Sequence, residues 1–329
     1  MVKFGVIGTN WITDRFLESV KDLEDFELTA VFSRTEQKAN EFARKYNIAK
    51  TFTDYEDMAK SDAIDAVYIA SPNYVHSEQA IGFMNHKKHV LCEKPLASNI
   101  KQTQAMIDAA TKNGVVLMEA MRTTLVPNFR RIQNHLHKLG KVRRYVASYS
   151  KYSSRYDAYK AGTVLNAFNP SYSNGSLMDL GVYCIYPMVV LFGEPQSIKA
   201  SGIMLESGAD GSGSILAQYN EMDAVIMYSK MNDSYLPSEI QGEEASMVIH
   251  DNISTPHHVE IKYRDGSVET ISEPHEQQDM YYEGQEFIRL VQEGKNMSTI
   301  NTFQNSLTTA VIMETARKQI GLIYPADQS

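Results

Sequence analysis

The stretch KFGVIGTNWIT, Lys3–Thr13, decides the fold: a short apolar run reaches Gly8 and gives way to the helically spaced DRFLESVKDL. Four further strand-like runs follow, FELTAVFS, AIDAVYIAS, HVLCEKP and GVVLMEA. EQKANEFARKY, SEQAIGFMNH and NIKQTQAMIDAATKNG lie between them with helical spacing. Such alternation implies parallel strands joined by right-handed crossovers, with helices on both sheet faces. In the last helix Ser98 or Asn99 is the cap and Gly114 the stop. Residues 1–122 are expected to form a doubly wound α/β domain.

From about residue 123 the pattern changes. KVRRYVASYSKY, QSIKASGIML, GSILAQY, DAVIMYSKM, ASMVIH and HHVEIKYRDGSVETI are strand candidates with few helices between them. RDGS carries an Asp-Gly hairpin signal. Residues 123–329 are expected to form an α+β domain with a large open, mostly antiparallel sheet. One helix, about 175–192, precedes most of that sheet; two more, about 278–293 and 302–321, close the chain. The last is expected to pack back on the first domain.

Composition narrows the function classes. A formal net charge of −8 over 329 residues argues against nucleic acid as a partner, because phosphate binding shows as a basic excess. The local cluster FRRIQNHLHKLGKVRR reads as a solvated helix face. Two cysteines, Cys92 and Cys184, make no disulfide framework, and no Cys/His run has metal-ligand spacing, so no metal is expected. The N-terminus lacks signal-peptide features, and the longest apolar run, YCIYPMVVLFG, falls short of the roughly 18 residues of a membrane span. A cytoplasmic protein without a membrane partner is expected.

A glycine turn between a first strand and first helix brings backbone N–H groups and a helix N-terminus toward a pyrophosphate. The G-x-G-x-x-G/A match is incomplete, with Asn10 at the second glycine and Thr13 at the third small position. Asparagine tolerates left-handed backbone and is a workable replacement. Gly8, Thr9, Asn10, Trp11 and Ile12 are the candidate contacts in this turn. The second strand ends in Ser33-Arg34 instead of an acidic residue. A hydroxyl followed by a guanidinium suits a 2′-phosphate, so NADP(H) is preferred, with NAD(H) second. The third candidate strand ends in ASPNYVH, which puts Ser71, Pro72, Asn73 and His76 on the same sheet edge. HVLCEKPLA then places Glu93 and Lys94 where a strand leaves the core, before a proline. That position holds either a surface ion pair or a lysine kept for chemistry.

The sequence of the degenerate glycine turn, SPN and EKP, followed by NGSLMDLGVYCIYPMVVLFGEP and MYYEGQEFIRLV, resembles the glucose–fructose oxidoreductase/inositol dehydrogenase (Gfo/Idh/MocA) family. The second-domain pattern D-x-G-x-[HY] falls on Asp179, Gly181 and Tyr183. The resemblance implies a Rossmann domain plus an open α/β domain whose sheet mediates dimerisation or higher assembly. It further implies that Lys94 reaches substrate and nicotinamide, and that the Lys94–Pro95 bond is cis. Tyr183, where inositol dehydrogenases carry histidine, is more similar to the dimeric dihydrodiol dehydrogenase branch and speaks against inositol.

Oxidising an alcohol needs a base for the hydroxyl proton and an acceptor for the hydride. A tyrosine needs a nearby cation to act as base at neutral pH. The expected roles are Tyr183 as general acid/base, Lys94 as its electrostatic partner and Asp179, four residues before Tyr183, as orienter. Lys94 as direct proton donor is the alternative. The expected activity is hydride transfer between NADP(H) and a CH–OH or carbonyl carbon of a sugar, polyol or cyclic diol. A nicotinamide-dependent glycosidase and a non-catalytic dinucleotide sensor stand as other readings. The Tyr- and Asn-rich segment KYSSRYDAYKAGTVLNAFNPSY is either a polyol-binding loop or plain surface.

Overall fold

A computed structural model describes residues 1–250 and 252–328. The chain divides into two compact units, Met1–Met121 with Gln277–Ser306, and Arg122–Glu276 with Leu307–Ser329.

The first unit holds strands β1 (Val2–Ile7), β2 (Phe26–Phe32), β3 (Lys50–Phe52), β4 (Ala66–Ile69), β5 (His89–Glu93) and β6 (Leu117–Ala120). Helices α1 (Trp11–Val20), α2 (Glu36–Tyr46), α3 (Tyr55–Lys60), α4 (His76–Asn85) and α5 (Ile100–Asn113) connect them. The sheet order is β3-β2-β1-β4-β5-β6 and every pairing is parallel. This is the doubly wound arrangement expected, with the order reversing between β1 and β4, where such sheets bind ligands at their carboxyl ends. β3 and α3 are additional to the strands and helices read from sequence. Three residues facing mostly outward carry no periodic signal.

α1 forms because Asn10 caps it and Phe16, Leu17 and Val20 recur on one buried face. The Phe16 ring stacks on Tyr68 of β4 at 3.9 Å between centroids. α5 starts at its Asn99 cap and stops at Gly114, whose φ is 64°.

The second unit holds α6 (Pro127–His135), β7 (Val142–Ser150), α7 (Tyr156–Lys160) and α8 (Val182–Phe192). Strands β8 (Ser197–Met204), β9 (Asp210–Gln218), β10 (Asp223–Ser229), β11 (Ser238–Gly242), β12 (Ala245–Ile249), β13 (Val259–Tyr263) and β14 (Val268–Thr270) follow. The order is β14-β13-β12-β11-β7-β10-β9-β8, with β7–β10 the parallel pair and the rest antiparallel. The hairpin read from RDGS joins β13 to β14, with Gly266 at φ 88°. One sheet face packs on α8, where Tyr145 donates to the Cys184 carbonyl at 3.0 Å. β8 alternates exposed and half-buried residues, so its other face is open.

The apolar run around α8 is longer than the sequence reading allowed. Pro170–Phe192 contains an 18-residue window of mean hydropathy 1.6, long and apolar enough for a membrane span, yet 78% of it is buried within the protein. It is a core segment.

The last two helices, α9 (Asp279–Gln292) and α10 (Phe303–Ile320), divide differently from expectation. α9 lies in the first unit and most of α10 in the second, whereas the last helix was expected on the first domain. The cause is packing. Phe287 of α9 meets Phe4 of β1 at 5.6 Å between centroids, Gly284 fits against Val20, and Arg15 pairs with Asp279 at 3.6 Å. Gln319 of α10 instead bonds both to the Ala200 N–H at 2.7 Å and to the Ile198 carbonyl at 3.1 Å on β8.

Candidate functional site

In the first unit, β1 ends at Gly8, whose φ of 96° and proximity to β4 admit glycine alone: a Cβ there would stand 2.5 Å from the Ala70 carbonyl oxygen. Thr13 closes the turn by donating to the Gly8 carbonyl at 2.7 Å. Asn10 does not use left-handed backbone as expected; it is extended, with φ −107°. Its amide donates to Ala70 at 2.9 Å and its oxygen accepts from the Ile12 N–H at 3.0 Å. The asparagine therefore ties α1 to β4 and caps the helix. Thr9 is half-buried and Trp11 is 61% exposed beside this turn. Such a close-packed cradle fits a dinucleotide pyrophosphate.

At the end of β2, Ser33 is buried and its N–H bonds Phe52 of β3 at 3.1 Å, while Arg34 is exposed. A solvent-facing guanidinium on a fixed strand end suits a phosphate. After β4, Ser71, Pro72 and Asn73 are half-buried, and the Ser71 hydroxyl donates to Gln79 at 2.6 Å. His76, read from sequence as either a ribose contact or the start of a helix, is the first residue of α4. It is fully buried, with its ring nitrogens 2.8 Å from the Ser71 carbonyl and 3.1 Å from the Pro95 carbonyl. Burial pushes the imidazole below its ordinary titration range. It is a strut between the SPN turn and the EKP turn.

That second turn leaves β5 through a cis Lys94–Pro95 bond. Tyr68 donates to the Glu93 carboxylate at 2.5 Å, and Lys94 follows half-buried at the strand end. Just beyond, the Leu96 N–H reaches the carboxylate of Glu119 on β6 at 3.0 Å; Ser306 donates to the other oxygen at 2.6 Å. Glu119 is buried, and burial pushes its carboxyl up to about 7. Cys92 is a core residue, as expected.

In the second unit, Tyr183 stands in the first turn of α8, 6% exposed. Buried Arg122 donates from Nη1 to its phenolic oxygen at 2.9 Å. Asp179 lies one π turn earlier, in Leu177–Gly181, so the four-residue spacing does not run along an unbroken α-helix. Its carboxylate meets the buried Lys230 ammonium at 2.5 Å. Lys230 also lies 5.5 Å from the Phe168 ring, and Phe168 packs against Tyr156 and Tyr159. The aromatic segment thus forms α7 and, through Phe168, a cluster behind Asp179, while residues 161–166 are exposed surface. The π turn opens where Asp210 accepts from the Ser176 and Leu177 N–H groups at 3.1 and 2.7 Å. Burial pushes Asp210 up to about 6.

Arg122, Lys230, Glu119 and Asp210 were not singled out from sequence. Arg122 follows LMEAM as Lys94 follows VLCE, a charge at the exit of a buried strand, which is the one signal that marks it.

Residues 2–121 match the oxidoreductase family GFO_IDH_MocA, NAD-binding Rossmann fold, and residues 131–248 match the GFO/IDH/MocA C-terminal domain. The chain is 61% identical over 329 residues to scyllo-inositol 2-dehydrogenase (NADP(+)) IolU of Bacillus subtilis, covering 100% of both chains. The chain belongs to the Gfo/Idh/MocA family. It is a nicotinamide-dependent oxidoreductase acting on CH–OH groups, as its motifs implied. A trans-1,2-dihydrobenzene-1,2-diol dehydrogenase of Danio rerio is 30% identical, covering 99% of both chains. Both branches named by the resemblance are therefore represented among its relatives. The fold is that of KijD10, a 3-ketoreductase from Actinomadura kijaniata in complex with NADP and TDP-benzene, at TM-score 0.84 and 22% identity, with 97% and 98% of the two chains covered.

Proposed function

We propose that the protein oxidises one ring hydroxyl of a cyclitol, and reduces the matching ketone, using NADP(H). The observation that carries the reading is the buried contact in which Arg122 donates to the Tyr183 oxygen at 2.9 Å. A guanidinium there favours the phenolate, so Tyr183 takes the hydroxyl proton in oxidation and returns it in reduction. Lys94 polarises the substrate oxygen. Asp179, paired with Lys230, accepts from a second substrate hydroxyl, which selects polyols over simple alcohols. NADP(H), when bound, accepts or supplies the hydride. The Gly8 turn holds its pyrophosphate, and Ser33 and Arg34 hold its 2′-phosphate. The cyclitol assignment rests on the 61% identical relative named for scyllo-inositol.

The substrate is a small polyol, not a nucleic acid or a membrane. A homo-oligomer built through the eight-stranded sheet is part of the proposal, supported by Ile203 and Leu216, exposed on β8 and β9. Both cysteines are free and buried, which suits the cytoplasm.

The test is NADPH formation from a panel of inositol isomers and aldoses. Turnover is expected on a cyclitol with NADP(+), and Arg34→Glu is expected to lower kcat/KM for NADP(+) about tenfold or more while sparing NAD(+). Turnover confined to aldoses overturns the substrate assignment, and an unchanged cofactor ratio in the variant overturns the 2′-phosphate site.

A further inference from the structure

The second unit assembles a group that its spacing in sequence conceals. His250 follows β12, and its N–H bonds the His258 carbonyl at 3.0 Å, which continues the antiparallel β12–β13 ladder by one pair. His258 immediately precedes β13 and Glu260 lies on it, and in extended chain side chains two apart share a face. The three side chains therefore project together. Glu260 spans the pair, with one oxygen 2.7 Å from His250 Nε2 and the other 3.2 Å from His258 Nε2. All three donor atoms lie within 4.8 Å of one another.

We propose that His250, His258 and Glu260 form a divalent transition-metal site of the zinc class, separate from the oxidoreductase site. Two imidazole nitrogens and one carboxylate are a borderline donor set that selects Zn²⁺ over Mg²⁺ and Ca²⁺, which take oxygen ligands. Donors about 2.1 Å from a tetrahedral ion stand roughly 3.4 Å apart, and small rotations of three partly exposed side chains reach that spacing. Water fills the fourth position. The paired strands hold the backbones in place, so less freedom is lost on binding than in a loop site.

The ion closes the base of the segment between the two histidines. Within that segment the Ser254 carbonyl accepts from Thr123 at 2.9 Å, and the Pro256 carbonyl accepts from Asn128 at 3.0 Å.

The test uses the tag-free full-length enzyme, stripped with chelator and titrated with Zn²⁺ alone by calorimetry. One equivalent is expected to bind at micromolar Kd or tighter, with a rise in Tm. His258→Ala and Glu260→Gln are each expected to weaken binding at least tenfold while circular dichroism and cyclitol turnover stay unchanged. Co²⁺ in place of Zn²⁺ is expected to show the visible absorption of a tetrahedral site, lost in both variants. The proposal is overturned if Zn²⁺ binds no tighter than millimolar, or if full affinity survives in the double variant.

Discussion

Each unit pins its chemically important turn with a buried carboxylate lent by a neighbouring strand, but the two are built differently. In the first unit Glu119 accepts one backbone N–H, from Leu96, and one hydroxyl, from Ser306. In the second, Asp210 accepts two backbone N–H groups, from Ser176 and Leu177, with Lys230 adding a favourable charge. Burial raises both carboxyls, Glu119 to about 7 and Asp210 to about 6. Both feel a favourable cation, Lys94 at Glu119 and Lys230 at Asp210, but Glu119 also faces the like charge of Glu93 and starts from 4.5 instead of 3.8. The difference teaches that a like-charged neighbour and intrinsic acidity, more than the donor count, leave Glu119 the more easily protonated. The turn after Lys94 rests on a group that titrates near neutrality; the π turn carrying Asp179 rests on one that is largely ionised there.

The most severe break of this comparison pits the two turns' chemistry against each other. Tyr183→Phe is expected to lower kcat/KM about 10³-fold, the scale of a lost general acid/base, and Lys94→Met by less. Steady-state kinetics on both variants decides the order, and near-full activity in Tyr183→Phe removes the tyrosine from the mechanism.

The anchors come next. Asp210→Ala leaves the Ser176 and Leu177 N–H groups buried without their acceptor and is expected to cost about 3 kcal/mol in urea unfolding. Glu119→Ala, with one such N–H, is the milder case in the same assay; equal losses would erase the distinction.

The smallest effect sharpens the comparison through pH. A carboxyl raised on folding binds its proton more tightly in the folded state. Its contribution therefore opposes folding increasingly as pH rises from the ordinary value of 4.5 toward 7, and is absent below 4.5. Glu119→Gln keeps an acceptor for Leu96 and removes the titration. Relative to the variant, the wild type is expected to lose on the order of 2–3 kcal/mol across that window. Parallel stability–pH curves for the two proteins would show that Glu119 is not raised.

By itself the sequence determined the parallel sheet, because strand and helix periods differ and their alternation leaves few topologies. It also marked Gly8, Ser33-Arg34 and the Glu93-Lys94 exit as a sheet-edge series, since strand ends are local features. The tie from Asn10 to Ala70 and the burial of His76 against Pro95 were not legible, because each is set by a partner 60 and 19 residues away. Only the tertiary structure decided that Arg122 meets Tyr183, that Lys230 meets Asp179, and that His250, His258 and Glu260 converge. The first two contacts join residues distant in the chain, and a buried charge is stable only where packing supplies its counterpart, which no local pattern records. The third depends on the pairing register of β12 and β13. The same holds for α9 and α10, whose spacing was plain but whose burial partners, Phe4 and β8, were not.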